Sequence, residues 1–115
     1  MNNRDRELLE SIIANIDQLG DTIARHSINY TKFQSDVLYK DAISMPVFQV
    51  TELVTKLSKE LRNQHQQIPW QMIVGMRNRF AHAYDVMSDE MIWLTATEDL
   101  LVLKTYCEQV LKGDD

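Results

Sequence analysis

The sequence predicts an all-α protein, built as an up-and-down bundle of four main helices. Its 115 residues, 44% of them hydrophobic, suffice for one core. Apolar residues recur along most of the chain at spacings of three and four, which is the period of one helix face. Two prolines and three glycines are few for an all-β protein, which needs a turn about every eight to twelve residues. We therefore expect a single helical domain over residues 1–115.

The first helix is predicted from about Arg4 to Arg25. Residues 26–29 break its pattern, and Thr31 is a suitable N-cap for a short helical turn that ends near Phe33. The apolar face of the first helix consists of Leu9, Ile12, Ile13, Ile16, Leu19 and Ile23.

The second helix is predicted from about Ser35 to His65, with Pro46 in its interior. An interior proline lacks the N–H of one ladder hydrogen bond and clashes with the preceding turn, so we expect a kink near residues 42–46. Apolar residues near the proline extend beyond the stripe that one core face needs, which predicts a second buried contact, such as a dimer. These additional residues are Val47, Phe48 and Val50.

The third and fourth helices each begin at a recognisable N-terminal signal. Pro69 suits the first turn of a helix that runs to about Tyr84. Ser88 is a good N-cap for the fourth helix, which runs to about Lys112 and leaves residues 113–115 as a polar tail. Short connections between four helices predict the up-and-down arrangement.

Composition and charge restrict the classes of function. The net charge of -5 argues against a general nucleic-acid-binding protein, because sequence-independent binding depends on Lys and Arg neutralising phosphates. Any RNA contact must be local, and Arg77 and Arg79 form one basic group that could make it. A second basic group, on the preceding helix, is also positioned to make such a contact, but ordinary solvated charge is the favoured interpretation of it. It consists of Lys56, Lys59 and Arg62.

The sequence also predicts a soluble, cytoplasmic protein without a metal site or cofactor. Residues 1–10 are polar and charged, unlike a signal sequence, and no apolar run approaches the ~20 residues of a membrane span. Cys107, the single cysteine, lies on the apolar stripe of the fourth helix, where a buried thiol is the expected state.

Arg77 occupies an unusual position on the third helix. It lies at the centre of a stripe predicted to be buried, and no acidic residue three or four positions away on that helix can pair with it. Asn78 and His82 lie together on the flank of the stripe, about 100° or more around the helix from Arg77. One helix therefore does not close a pocket, whereas two copies meeting across a dyad would line one cleft. The stripe consists of Trp70, Ile73, Val74, Phe80, Ala81 and Tyr84.

Arginine, asparagine and histidine without a carboxylate cluster fit cleavage of RNA without a metal. Histidine can take a proton from a ribose 2′-hydroxyl or give one to the leaving oxygen, and arginine can stabilise the charged phosphate. Attack by the 2′-hydroxyl would leave a cyclic phosphate, and DNA could not react in this way. From the spacing of Arg77 and His82 alone, an interface histidine and a helix-stabilising arginine explain the pair equally well.

A longer string of residues resembles the HepT-like branch of the HEPN superfamily. It comprises residues 68–70, the run 73–79, residues 82–84 and the run 89–93, and the helical order extends the resemblance from about Leu8 to Leu111. The string reads Ile-Pro-Trp, Ile-Val-Gly-Met-Arg-Asn-Arg, His-Ala-Tyr and Asp-Glu-Met-Ile-Trp.

The resemblance implies a site and two partners. The family's Arg-x4-His-x-Tyr ribonuclease motif corresponds to Arg77, His82 and Tyr84, with Asn78 as the polar residue after the arginine. Such proteins are typically homodimeric toxins encoded beside a minimal nucleotidyltransferase antitoxin, which transfers AMP from ATP to the motif tyrosine. Tyr84 would be the acceptor, and tRNA or mRNA the substrate. Ala83 departs from the glycine that many relatives carry, which puts easy access to the tyrosine in doubt.

The resemblance leaves a second class of function open. Other HEPN-like proteins are non-catalytic modules that present a target to a nucleotidyltransferase, and this chain could be one of them. The intact motif favours RNA cleavage over that alternative. A tyrosine that simply packs in the core is also an adequate explanation of Tyr84.

Overall fold

A computed structural model describes residues 1–113 of the chain as a helical bundle. Asp114 and Asp115, part of the predicted polar tail, lie outside the described residues. A 3₁₀ turn at Tyr84–Val86 follows α5, and a π-helical turn at Thr95–Asp99 joins α6 to α7. The α-helices are α1 (Asn3–Arg25), α2 (Tyr30–Ser35), α3 (Val37–Thr55), α4 (Lys59–Gln64), α5 (Trp70–Ala83), α6 (Asp89–Leu94) and α7 (Leu100–Gly113).

Four long helical segments pack side by side, which confirms the predicted all-α bundle. Helix α1 lies between α7 and α3, and α5 packs on α3. Asp5 near the start of α1 contacts Ser58 just beyond α3, so these two helices are antiparallel. Glu52 and Phe48 of α3 contact Arg77 and Phe80 of α5, in that order, so α3 and α5 are antiparallel as well. The connections at residues 26–36 and 56–69 are longer than predicted, because they contain the short helices α2 and α4.

The predicted second helix is interrupted at residues 56–58, which corrects its extent. Ser58 accepts a hydrogen bond from the Leu61 amide and thereby caps α4. Buried Asp5 accepts hydrogen bonds from the Ser58 amide and hydroxyl at 3.0 and 2.5 Å. Arg62 donates to the carbonyl oxygens of Thr55 and Leu57 at the end of α3. These contacts satisfy polar groups that the helix ends would otherwise leave unpaired.

The surplus of apolar residues on α3 is used within the chain. Helix α3 continues through Pro46 without interruption, and the kink near residues 42–46 stays a prediction. Val47 and Val50 are completely buried, while Phe48 packs on Phe80 with ring centroids 5.5 Å apart. Helix α3 needs a wide apolar surface because it packs against both α1 and α5. The second buried contact predicted from these three residues is therefore made within the chain, and the dimer stays a prediction.

The last helical segment contains the predicted stripe and an irregular turn. Buried Thr95 donates its hydroxyl to the Met91 carbonyl at 2.9 Å where α6 meets the π-helical turn. Cys107 of α7 is completely buried, as predicted, and burial raises the pKa of its thiol to about 12. Between residues 1 and 113, no helix is long and apolar enough to cross a membrane.

Candidate active site

Helix α5 carries the Arg-Asn-Arg and His-Ala-Tyr residues and is fixed to the bundle at two points. Trp70 begins the helix, is 6% exposed, and donates its indole N–H to the His65 carbonyl at 3.0 Å. Phe80 is 8% exposed and lies over Phe48 of α3. Two aromatic anchors ten residues apart along α5 therefore set the position and rotation of the helix against the core.

The structure provides a partner for Arg77, which the sequence interpretation lacked. Arg77 lies between Ile73 and Phe80 on the side of α5 that faces α3, and its Nε donates to Glu52 Oε1 at 2.5 Å. Its Nη1 donates to the side-chain oxygen of Asn78 at 3.2 Å. The Arg77 and Glu52 side chains are 34% and 29% exposed, so the ion pair lies at the edge of the core. No acidic residue of α5 pairs with Arg77, as predicted, and its partner comes from another helix, α3.

Sequence reasoning missed Glu52, and the sequence holds little that could identify it. Its neighbours Leu53 and Val54 belong to the apolar stripe of the same helix, and Glu52 reads as a polar flank residue. Only the antiparallel register of α3 and α5 places it opposite Arg77. The arrangement leaves part of the guanidinium open to solvent while one of its N–H groups is held.

His82 lies on a different side of α5 from Arg77. It is exposed, and its side chain has no hydrogen bond or ion pair to any of residues 1–113. Five residues of helix correspond to a rotation of about 140° and a rise of about 7.5 Å, so the two side chains leave the axis in separate directions. The structure brings Arg77 and Asn78 together and leaves His82 apart within one chain.

Tyr84 is more exposed than the predicted buried stripe implied. It follows α5 as the first residue of the 3₁₀ turn and stacks on Phe80, with ring centroids 5.8 Å apart and an interplanar angle of 18°. It is 37% exposed, and Ala81 is exposed as well, so the stripe is buried only at Trp70 and Phe80. The plain core explanation of Tyr84 is therefore wrong for the isolated chain.

Arg79 lies on the α6 side of α5. Its Nη1 approaches the sulfur of Met91 at 3.3 Å, and it lines a cleft between α5 and α6 together with Glu90 and Asp99. The two arginines of the basic group thus lie on different sides of α5, Arg79 towards α6 and Arg77 towards α3. Within residues 1–113, no group of three His, Cys, Asp or Glu side chains could hold a metal ion.

Comparison with known proteins identifies the family. The model of the HepT-like family, described as ribonuclease HepT-like, matches residues 8–110. A protein of Caldanaerobacter subterraneus subsp. tengcongensis, provisionally named an RNase, is 27% identical over 109 residues, which cover 95% of this chain and 96% of that protein.

Archaeal proteins show similar levels of identity. One from Thermococcus cleftensis, provisionally named ribonuclease HepT, is 27% identical over 70% of this chain and 82% of its own length. Another from Methanocaldococcus jannaschii, provisionally named an RNase, is 26% identical over 74% of this chain and 73% of its own. No solved structure matches the chain. The helical bundle and the match over residues 8–110 together establish that this chain belongs to the HepT-like ribonuclease family.

Proposed function

We propose that this protein is a metal-independent endoribonuclease toxin, with Arg77, Asn78 and His82 as its catalytic residues. The observation that carries the proposal is the position of Arg77, whose guanidinium is held at its Nε by Glu52 yet remains 34% exposed. A cation that is oriented before substrate arrives can stabilise charge developing on a phosphate at little cost in reorganisation. Asn78 holds the same guanidinium from the other side.

His82 supplies proton transfer in the proposed reaction. Its imidazole takes the proton of a ribose 2′-hydroxyl, the 2′-oxygen forms a bond to the adjacent phosphorus, and the bond to the 5′-oxygen breaks. A protonated imidazole gives its proton to that 5′-oxygen. The products are a 2′,3′-cyclic phosphate and a 5′-hydroxyl, and the reaction needs no oxidant or co-substrate. Exposure of His82 supports this role, because nothing in the described chain occupies its ring nitrogens.

The complete site is proposed to form in a homodimer. Within one chain, Arg77 and His82 leave α5 in directions about 140° apart, so two copies of α5 are needed to line one cleft. Two imidazoles in such a cleft could serve as base and acid. Apolar side chains exposed on α3 and in the 3₁₀ turn after α5 favour burial against a second copy. They are Val37 (72% exposed), Leu38 (70%), Met45 (55%) and Val86 (77%).

The test of the ribonuclease proposal is cleavage of cellular RNA in excess EDTA by protein that is unmodified on Tyr84. We expect RNA fragments with 3′-terminal cyclic phosphate, and no cleavage of DNA of the same sequence. Light scattering of the active protein should give twice 13.4 kDa. Absence of cleavage, or cleavage only with an added divalent metal, would contradict the mechanism, and an active monomer would contradict the composite site.

Regulation is proposed to act at Tyr84. A minimal nucleotidyltransferase antitoxin would join the α-phosphate of ATP to the Tyr84 hydroxyl and release pyrophosphate. The 37% exposure of Tyr84 and its position two residues after His82 support an accessible acceptor beside the site. The added anion would repel RNA and obstruct Arg77 and His82.

Mass spectrometry of the Tyr84 peptide, after incubation with the antitoxin and ATP, tests the modification. We expect the mass of one adenylyl group and a loss of RNA cleavage. Tyr84→Phe retains the ring that stacks on Phe80, so this variant should fold, cleave RNA and escape silencing. Silencing of Tyr84→Phe to the same extent would instead favour inhibition by binding.

The alternative is a non-catalytic HEPN module that partners a nucleotidyltransferase. The exposure of Tyr84 is compatible with this function as well, since it requires only an accessible target. The EDTA cleavage assay separates the two, because a binding module would cut no RNA.

A further inference from the structure

A groove of about 890 Å³ lies between α4 and α5, beside the proposed catalytic residues. Ile68 and Trp70, both buried, contribute apolar surface to the groove. Its volume is in the range of sites that bury a drug-sized molecule, about the size of one or two nucleotides. The polar side chains that line it are Lys59, Arg62, Asn63, Gln66, Gln71 and Asn78.

The groove has a charge that is unusual for this protein. Two cations and four amides line it, and none of its lining residues is Asp or Glu, although the whole chain carries a net charge of -5. By contrast, the cleft between α5 and α6 places Glu90 and Asp99 beside Arg79. A carboxylate-free groove with cations is suited to a polyanion, since phosphate binding depends on local Lys and Arg.

The two cationic side chains of the groove differ in how firmly they are held by the protein. Arg62 is held by hydrogen bonds to the carbonyl oxygens of Thr55 and Leu57, so it contributes a fixed positive charge at the end of α3. Lys59 is exposed in the first turn of α4 and has no hydrogen bond or ion pair from its ammonium group to the described chain. Its three donors are therefore available to a ligand.

The groove leads to His82. Gln71, Val74 and Asn78 of α5 all line it, and they recur at spacings of three and four along one face of the helix. The next residue at a spacing of four is His82, one turn beyond Asn78. A strand that follows this face therefore passes from Lys59 and the amides directly to the imidazole.

We propose that the α4–α5 groove binds the single-stranded RNA next to the phosphate that is cut. Lys59 and Arg62 attract the RNA phosphates, and the amides of Asn63, Gln66 and Gln71 hydrogen-bond to base edges, which can be donors or acceptors. This assignment rests on the proposed ribonuclease function. It adds a substrate-binding surface formed by α4, which carries none of the motif residues.

The test measures equilibrium binding of a short fluorescein-labelled single-stranded RNA of mixed sequence to dimeric protein that carries His82→Ala to prevent cleavage. Lys59→Ala should raise the Kd by about tenfold and lower the slope of log Kd against log salt by about 0.7, the value for one phosphate contact on a single strand. Gln71→Ala should weaken binding without changing that slope. The matched control is Lys32→Ala in α2, which removes the same charge from an exposed lysine on another part of the bundle.

The second measurement is the rate of RNA cleavage by protein that retains His82. Lys59→Ala should raise KM while kcat stays close to that of the unmutated protein, because Lys59 contacts RNA away from the reacting phosphate. Equal Kd values for Lys59→Ala and Lys32→Ala would overturn the groove assignment, whether or not RNA is cut. If the unmutated protein cleaves no RNA but Lys59→Ala weakens binding and Lys32→Ala does not, the groove assignment stands and the proposed ribonuclease mechanism fails.

Discussion

Helices α5 and α7 have the same length, 14 residues, but they use their side chains differently. Helix α7 buries Leu100, Leu103, Cys107 and Val110 in the core. Helix α5 buries only Trp70 and Phe80, although its sequence also contains a stripe of apolar residues. The difference indicates that α7 inserts more side chains fully into the core, whereas α5 is attached by two aromatic anchors and by partly buried residues such as Ile73 and Met76.

A small number of fully buried side chains suits a helix that, in the proposed function, contacts a ligand and a second protein copy. Side chains that contribute little to the core can be arranged for chemistry without a large loss of stability. The proposed catalytic residue Arg77 accordingly lies at the edge of the core, where it contacts both solvent and Glu52. Substitutions in α7 and its core partners should therefore change stability, and substitutions in α5 should change activity.

The largest expected effect concerns Cys107 of α7 and tests whether that helix is firmly packed in the core. Because burial raises the thiol pKa from 9.0 to about 12, the thiolate fraction near pH 8 should be about 1,000-fold lower in the native protein than in the unfolded chain. Reaction with a thiol reagent should be slower by roughly that factor or more, because the completely buried thiol is also out of reach of the reagent. The rate of labelling with and without denaturant measures it, and Cys107 is the only cysteine that can react.

The same shift predicts how stability depends on pH. The folded state keeps the thiol proton to higher pH than the unfolded state, so this contribution is fully present below pH 9.0 and is lost as pH rises towards about 12. In the labelling experiment, comparable rates for the native and the unfolded protein would show that α7 opens readily. The contrast in packing between α7 and α5 would then disappear.

The second prediction contrasts a motif residue with a core residue. His82→Ala should lower the rate of RNA cleavage by about 100-fold or more, because proton transfer is lost. Its free energy of unfolding should change by less than about 0.5 kcal/mol, since His82 is exposed and makes no side-chain hydrogen bond within residues 1–113. Urea unfolding followed by circular dichroism and the cleavage assay measure the two effects separately.

Phe33→Ala is the matched core substitution. Phe33 is completely buried against Tyr30 and Trp93, so its loss should cost about 3–5 kcal/mol of stability. Cleavage by the fraction that remains folded should be nearly unchanged. A large loss of stability in His82→Ala would show that α5 contributes to the core in the same way as α7.

The sequence predicted the fold well because its evidence is local. The apolar period that predicted the first helix and the N-cap Ser88 depend on residues within a few turns, and the structure confirms both. The break at residues 56–58 was missed because its cause is distant: Asp5 binds Ser58 across 53 residues of sequence. The π-helical turn at Thr95–Asp99 is likewise an irregularity that a regular apolar period cannot show.

The site was predictable in its residue types and less so in its geometry. The position of Arg77 beside Ile73 and Phe80 followed from helical spacing, but its partner Glu52 depends on the register between two helices. The predicted stripe treated Tyr84 as buried because periodicity identifies one face of a helix without showing what covers it. Residues buried against a second copy would have the same period as residues in a core.

The smallest expected effects concern the ion pair that joins the two regions. Glu52→Gln keeps an oxygen that can accept from Arg77 Nε but removes the charge, so the guanidinium should be held less firmly. We expect kcat to fall by about tenfold or less with KM nearly unchanged, against about 100-fold for Arg77→Ala. The exposed glutamate Glu10 on α1 supplies the control, and Glu10→Gln should leave both constants unchanged.

The free energy of unfolding should change little in Glu52→Gln and in Arg77→Ala, because an ion pair that is about one-third exposed contributes roughly 0–1 kcal/mol. Arg77→Ala should not stabilise the protein, although removing a charge from an apolar stripe would do so, because Glu52 would then lack its partner. A double-mutant cycle distinguishes positioning from structural support: Glu52→Gln should have no further effect on kcat in the Arg77→Ala protein. If Glu52→Gln lowers kcat equally in both backgrounds, Glu52 does not act through Arg77, and the site on α5 is organised independently of the core helix beside it.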